Sequence, residues 1–524
     1  MQRDFSQLAN QHFDVLICGG GIYGAWTAYD ATLRGLKVAI VDQGDWANAT
    51  SSASSKLIHG GLRYLESYDF KLVKKSLLER QMLLKVAPHR VWALRFAVPV
   101  YKHSRLGAWS LRVGLRIYDF LATGLSKDQR YRHYNAADFS ARFPELEAAD
   151  LTAGFSYLDA QTDDARLVLE LIAGACELGA VCVNYCQVTE LLTLNEQLHG
   201  AVIQDQLTHT IGKVYAKQIV DTMGRWSPHQ IECACRLSKG VHLVMPKILN
   251  EEALLLTAES DGRVFFIIPW YGRTLLGTTD SDYHGDINQL TVEQHEIDYL
   301  LSEANCVLKN THWQTQDIIG SYAGLRVLQA SSESSVSNIS RDWQLNRSPC
   351  GLLSSIGGKL TSAREDASQL VDALCQQLGL NLPCRTFGRA FPWSPDLDYN
   401  HWVNTALSQA TALNIDSESA HWLLRRHGCR VSDVFALCEQ QPDLTKRILP
   451  TLPFIMADMV FCAQQEMVVH LEDLLRRRLP LMILAKLTSC ELQELALIAA
   501  KVLAWSDERR NQEYTTCWQQ TNPF

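Results

Sequence analysis

An α/β chain, joined to an antiparallel sheet and ending in a helical region, is what the 524-residue sequence predicts. Three observations predict it. A short apolar run at residues 13–18 leads through a glycine-rich turn into an alanine-rich helical run, and alternating apolar residues crowd positions 263–276. After Pro383 the apolar spacing turns helical and stays so to Phe524. With 47% hydrophobic and 20% charged residues the composition is globular, and at roughly 100–200 residues per domain the length corresponds to two to four units.

The first element carries the strongest signal. Phe13-Asp14-Val15-Leu16-Ile17-Cys18 reads as a strand, and Gly19-Gly20-Gly21-Ile22-Tyr23-Gly24 places G-x-G-x-x-G between that strand and a helix running through Leu33. In a Rossmann-type unit Gly19 allows the tight turn, Gly21 lets backbone approach a pyrophosphate, and Gly24 lets the helix pack close. A phosphate there meets the free N–H groups of a helix N-terminus. A second strand, Lys37 to Val41, ends in Asp42, near the offset at which a carboxylate accepts ribose hydroxyls.

The next segment, Ala49 to Tyr64, packs Thr50, Ser51, Ser52, Ser54 and Ser55 ahead of Lys56 and His59-Gly60-Gly61-Leu62-Arg63-Tyr64. Small hydroxyls and glycines admit a bulky ligand to the backbone, while His59, Arg63 and Tyr64 supply a titratable group, an anion fork and a hydroxyl. The plain alternative is a serine-rich loop capping a helix that starts near Arg63. Farther on, Gly351 to Ile356 reads as a strand, Gly357-Gly358-Lys359-Leu360-Thr361 as a second Gly-Gly turn, and Arg364 to Leu374 as its helix. Gly324-Leu325-Arg326 follows a polar strand. Val241-His242-Leu243 alternates with period 2, which points His242 away from its neighbours. Thr278 and Thr279 precede Asp280 on a strand and read equally as ligand hydroxyls or as ordinary β-formers.

Taken together these pieces resemble the FAD-dependent glycerol-3-phosphate dehydrogenase family of the bacterial, aerobic respiratory type. Thr50 to Glu66 is close to that family's flavin and substrate signature, and the likeness runs from Phe13 to about Leu479. Tyr157 to Leu167, Lys239-Gly240-Val241-His242, Ile268-Pro269-Trp270, Gly277-Thr278-Thr279-Asp280 and Leu471 to Arg478 belong to it as well. The resemblance implies a Rossmann-type FAD-binding domain, an antiparallel-sheet substrate cap and a C-terminal helical domain. It implies oxidation of sn-glycerol 3-phosphate to dihydroxyacetone phosphate by hydride transfer to flavin N5, with electrons passing to membrane quinone. FAD would be held by Gly19, Gly21, Gly24, Asp42, Thr50, Ser51, Ser52, Ser55, Lys56, Gly60, Gly61, Thr222, Gly224, Gly358, Lys359, Leu360 and Thr361. Arg63, Tyr64, Thr278, Arg326 and Lys359 would hold substrate, and His59, His242 and Arg326 would serve catalysis. No metal is implied, and a homodimer is admitted. The sequence departs from the family's pattern at Tyr23, commonly asparagine, at Arg225 and at Val327. These departures keep open another alcohol, hydroxy acid or amine as substrate, oxygen as acceptor, or flavin binding without catalysis.

The same pass divides the chain into a discontinuous FAD-binding domain (1–88, 159–226, 318–378), a cap (89–158, 227–317) and a helical domain (384–524). The 49 basic and 57 acidic side chains give a net charge of -8, which argues against a bulk nucleic-acid binder. Residues 56–138 nevertheless hold 16 Lys and Arg against 6 Asp and Glu, a net of +10. There Lys102, Arg105, Arg112 and Arg116 flank an apolar stripe of Leu106, Trp109, Val113, Ile117 and Phe120, the pattern either of an ordinary surface helix or of one lying on a membrane. The family resemblance favours the membrane, on the inner face of the cytoplasmic membrane. Arg476-Arg477-Arg478 is expected to extend the basic surface or to complement a helix end. The 15 dispersed cysteines, with no paired C-x-x-C, are read as reduced and cytoplasmic. No apolar run reaches the roughly 18 residues of a spanning helix.

Overall fold

The computed structural model describes residues 1–227, 235–249, 251–328, 342–396 and 398–521. The chain opens with β1 (His12–Cys18), α1 (Ile22–Leu33), β2 (Val38–Val41), β3 (Leu57–Ile58) and α2 (Phe70–Val86). β4 (Val91–Tyr101), α3 (Ala108–Leu121), β5 (Arg132–Asn135), α4 (Ala136–Arg142), β6 (Leu151–Thr162), α5 (Asp164–Glu177) and β7 (Val181–Val183) follow. Next come β8 (Cys186–Leu194), β9 (Gln197–Asp205), β10 (Ile211–Asp221), β11 (Arg236–Met245), β12 (Ala253–Thr257), β13 (Val264–Trp270), β14 (Arg273–Gly277) and β15 (Ser281–Asp282). A helix at Gln294–Val307 precedes β16 (Gly320–Leu328), β17 (Trp343–Arg347) and β18 (Leu353–Gly357), and another spans Ala363–Gln377.

Two sheets organise these elements. The first runs β17-β18-β10-β1-β2-β7, with β1, β2, β7, β10 and β18 parallel and the β8–β9 hairpin paired to β10. β1 is apolar from Val15 on because both its faces are covered. Val15 and Ile17 join the core beneath α1 and α5, whereas Leu16 and Cys18 join the core on the β8–β9 side. The second sheet runs β15-β11-β14-β13-β12-β4-β6-β3, with β16 beside β11 and β5 beside β6. It is antiparallel apart from the β4–β12 pair. Its register sets His242 on β11 opposite Gly277 on β14 and Tyr322 on β16. The predicted cap strands are β13 and β14, and the C-terminal segment is helical from Tyr399 to Thr521.

Two sequence expectations about charge change in three dimensions. Arg477 and Arg478 are not surface groups: both are buried and converge on Asp45, which is fully buried just past β2. Asp45 accepts from Arg477 Nε at 2.6 Å and from Arg478 Nη2 at 2.9 Å, and Asp473 accepts from Arg477 Nη2 at 2.6 Å. The triple arginine thus ties the helical domain to the first sheet. The excess of +10 over residues 56–138 is met in part from inside the fold, although Lys71, Lys74, Lys85, Arg116, Lys127, Arg130 and Arg132 stay exposed. Lys56 pairs with Asp164, Lys75 with Asp366, Arg80 with Asp159 and Arg90 with Glu170, partners that all lie outside that stretch. α3, by contrast, is amphipathic in the unusual sense. It buries Leu111, Leu115 and Tyr118, leaves Val113 and Ile117 of the predicted stripe half-buried, and turns Trp109 and Phe120 outward, 76% and 81% exposed.

Candidate active site

A cavity of about 1240 Å³ lies between the two sheets. On the first sheet's side it is walled by the turn after β1. Gly19 has φ +107°, and a Cβ there would stand 2.5 Å from the Thr222 carbonyl oxygen. Gly24 sits under the same turn, where a Cβ would meet the Gly19 carbonyl oxygen at 1.8 Å, so only glycine lets α1 start this close to β10. Thr222 Oγ1 locks the junction by donating to the Cys18 and Gly19 carbonyls, both at 2.9 Å. Ser51 Oγ accepts from the first N–H of α1, that of Ile22, at 2.9 Å. Asp42, at the end of β2, accepts from the N–H groups of Gly20 at 2.6 Å and Gly44 at 2.8 Å. Burial outweighs those donors and pushes its carboxyl up to about 6.

Cations gather on the side of the second sheet. Two of them approach the Tyr64 ring: the Arg63 guanidinium lies 4.9 Å and Lys359 Nζ 3.7 Å from its centroid. Arg63 Nη2 also donates to the Tyr64 hydroxyl at 3.2 Å. Arg326, on β16, lies flat over Gly240, where a Cβ would meet its Nη2 at 2.3 Å. It donates to Thr278 Oγ1 at 3.0 Å and pairs with Asp280 at 3.3 Å, and Asp280 is held in turn by Ser238. His242 is buried and stacks on Tyr322 at 4.9 Å, its Nε2 2.8 Å from Ser55 Oγ. Burial, then Arg326 and Lys56, hold its imidazole neutral, well below the usual histidine range.

The cavity brings together Gly19, Gly21, Asp42, Thr50, Ser51, Ser55, His59, Gly61, Arg63, Tyr64, Thr222, Gly224, Thr278, Arg326, Gly358, Lys359, Leu360 and Thr361. Five expected residues stand off its wall for identifiable reasons. Gly24 serves helix packing, and Ser52 closes its own turn onto the Ala49 carbonyl. Lys56 points inward to Asp164 at 2.6 Å, beneath Trp270 and Tyr322. Gly60 makes room for Leu77 and the Tyr118 hydroxyl. His242 reaches the cavity only through Ser55. Asp280, Arg105 and Arg263 line the cavity and were not among the expected site residues. Asp280 was within reach, since it closes the Gly277-Thr278-Thr279-Asp280 motif; Arg105 read as part of a basic surface stripe, and Arg263 carried no local signal.

A family model described as FAD dependent oxidoreductase matches residues 14–364, and one described as C-terminal domain of alpha-glycerophosphate oxidase matches residues 394–510. A glycerol-3-phosphate dehydrogenase of Synechocystis sp. is 35% identical over 505 residues, covering 91% of this chain and 90% of that protein. The chain belongs to the FAD-dependent glycerol-3-phosphate dehydrogenase family. Within that family, an aerobic glycerol-3-phosphate dehydrogenase of Staphylococcus aureus is 33% identical over 491 residues, 90% of this chain and 87% of its own length. The crystal structure of the glycerol-3-phosphate dehydrogenase from Bacillus halodurans, complexed with FAD, superimposes with a TM-score of 0.80 at 28% identity, covering 98% of this chain and 96% of that one.

The residues present fit the family's cofactor. Bare backbone at Gly19 and Gly21, the start of α1 and the Asp42 carboxylate form one continuous wall suited to a dinucleotide. Tyr23, the departure from the family's asparagine, does not fill the cofactor turn. Its hydroxyl lies beneath Gly358, accepts from the Lys359 N–H at 3.0 Å and donates to Asp366 at 2.9 Å. It therefore braces the Gly-Gly-Lys turn from behind.

Proposed function

We propose that the protein oxidises sn-glycerol 3-phosphate to dihydroxyacetone phosphate. The observation that carries this reading is the convergence of Arg63, Arg326 and Lys359 on the cavity that also holds the Gly19–Gly24 turn and Asp42. A dianionic phosphate ester suits a guanidinium fork and an ammonium, and a second guanidinium suits the oxygen at C2. Arg63 and Lys359 share Tyr64 as a common platform, so one anion can engage both. Thr278 and Arg326 are left for the substrate hydroxyls, Arg326 stabilising the alkoxide that develops at C2. His59 lies on the wall and is the base we assign for the C2 hydroxyl proton. His242 is a positioning residue that fixes the Ser55 hydroxyl, and its neutrality keeps it from repelling the cations nearby. FAD, when bound, supplies the two-electron acceptor for the C2 hydride at its N5. The FAD-binding unit we assign comprises residues 1–88, 159–226 and 318–378, from which β3 and β16 reach into the second sheet, with 89–158 and 227–317 as cap and 384–524 as the helical domain.

We assign the re-oxidising partner as a membrane quinone, reached from the inner face of the cytoplasmic membrane. Among the described residues no helix is long and apolar enough to cross a membrane. The support is α3, whose exposed Trp109 and Phe120 stand beside Arg112 and Arg116, as in a helix lying in the lipid interface. Arg105, just before α3, lines the cavity, so this face adjoins the site.

The test of substrate is turnover of the holoprotein with an artificial electron acceptor. sn-Glycerol 3-phosphate should be oxidised at least about a hundredfold more efficiently than glycerol, L-lactate or glycine, since loss of two charge-assisted contacts costs about 3 kcal/mol or more. Equal rates with glycerol, or preference for an amine, would overturn the assignment.

A further inference from the structure

We propose that Cys176 and Cys182 form a peroxide-oxidisable dithiol that closes to a reversible disulfide. The backbone brings them together. α5 ends at Glu177, Gly179 turns the chain at φ +100°, and the Ala180 N–H donates to the Ala175 carbonyl at 2.9 Å, so β7 starts back along the last turn of the helix. Cys182 Sγ then lies 3.9 Å from the carbonyl of Ile172, one turn before Cys176. Each thiol is the leading influence on the acidity of the other. Cys176 is the more exposed sulfur and Cys182 is buried, which assigns Cys176 as the attacking thiol and Cys182 as the resolving one; the lowered Cys176 and raised Cys182 thiols agree with that order.

Access is provided as well. Both residues line a second cavity, about 430 Å³, bordered by Gln7, Glu177, Arg430 and Asp433 and separate from the active-site cavity. The oxidant is hydrogen peroxide. The Cys176 thiolate attacks one peroxide oxygen, the O–O bond breaks, and the leaving hydroxide takes up a proton, giving water and a sulfenic acid. Cys182 sulfur then attacks the sulfenic sulfur, the S–O bond breaks, and the Cys182 proton leaves with the hydroxyl as a second water. Two thiols are oxidised by two electrons and one peroxide is reduced to two waters.

Cys306 and Cys429 are internal comparators, both exposed and both raised in pKa, first by burial of the sulfur. The full-length holoprotein is titrated with hydrogen peroxide, alkylated, and mapped by mass spectrometry before and after thiol reduction. The expected result is a linked Cys176–Cys182 peptide that forms about tenfold faster than Cys306 or Cys429 oxidises and disappears on reduction. In Cys182→Ser, a sulfenic acid trapped at Cys176 by dimedone is expected. Oxidation of Cys306 and Cys429 ahead of the pair, or Cys176 passing to the sulfinic acid without linkage in the wild type, would overturn the proposal.

Discussion

Replacing Tyr23 by phenylalanine removes one oxygen and keeps the ring, so it isolates what the hydroxyl does for the Gly357–Thr361 turn. The hydroxyl accepts the Lys359 N–H at 3.0 Å and donates to Asp366, which keeps Lys75 at 2.5 Å and Ser362 at 2.9 Å as partners. The loss therefore falls chiefly on the Lys359 N–H, which is only part-buried. A deprived donor costs about 1–3 kcal/mol, and partial exposure places this one near about 1–1.5 kcal/mol. Spent on the turn that carries Lys359, that is about five- to tenfold in the population able to bind substrate, and in KM by the same factor. Steady-state kinetics with sn-glycerol 3-phosphate reads KM directly, with flavin absorbance per chain as control. A KM within twofold of the parent would refute the bracing role, and loss of flavin would instead place Tyr23 in cofactor retention.

The remaining predictions follow from the same geometry. Arg63→Ala should lose about 1.5–3 kcal/mol of transition-state binding for phosphate esters, roughly 10- to 150-fold in kcat/KM, with flavin content retained; unchanged kcat/KM would remove Arg63 from substrate binding. Asp45→Ala leaves Arg477 and Arg478 buried without their shared carboxylate, a loss of about 3–5 kcal/mol that calorimetry should report as a markedly earlier unfolding transition. His427 is pushed down to about 4, first by burial, and burial also lowers His89. The unfolded chain thus takes up protons first, and stability should fall as pH drops from about 6.5 toward 4. His427→Gln should flatten that slope by about one proton in melting curves across this range. Trp109→Glu with Phe120→Glu should abolish co-sedimentation with anionic phospholipid vesicles while leaving turnover with a soluble acceptor intact.

Much of the site was legible because its chemistry is local in sequence. The Gly19–Gly24 turn works through backbone sterics within one strand-turn-helix unit, and His59 to Tyr64 place three side chains on one short segment, so their clustering is visible in the sequence even where a helix-capping loop is the plain alternative. The stripe on α3 was legible for the same reason, as 3.6-residue periodicity is a local property. What stayed hidden depends on partners far along the chain. Arg477 and Arg478 find Asp45 more than 400 residues away, and burial turns an expected surface cluster into an interdomain anchor. Lys56 looked like a ligand-binding cation because its neighbours are; its carboxylate partner, Asp164, comes from α5. His242 was placed on the correct strand by its alternation, yet period 2 gives a face and not a depth, and Ser55 intervenes between it and the cavity. Tyr23 stood out only as a departure from the family's asparagine; its bracing role depends on Gly358, 335 residues on, which leaves space for its hydroxyl.

The most direct test of the account is anaerobic titration of the purified flavoprotein with sn-glycerol 3-phosphate. Bleaching of the oxidised flavin absorbance with one dihydroxyacetone phosphate formed per flavin reduced is the predicted result. A protein that carries flavin but keeps its yellow colour with this substrate, while another alcohol or amine bleaches it, would contradict the account.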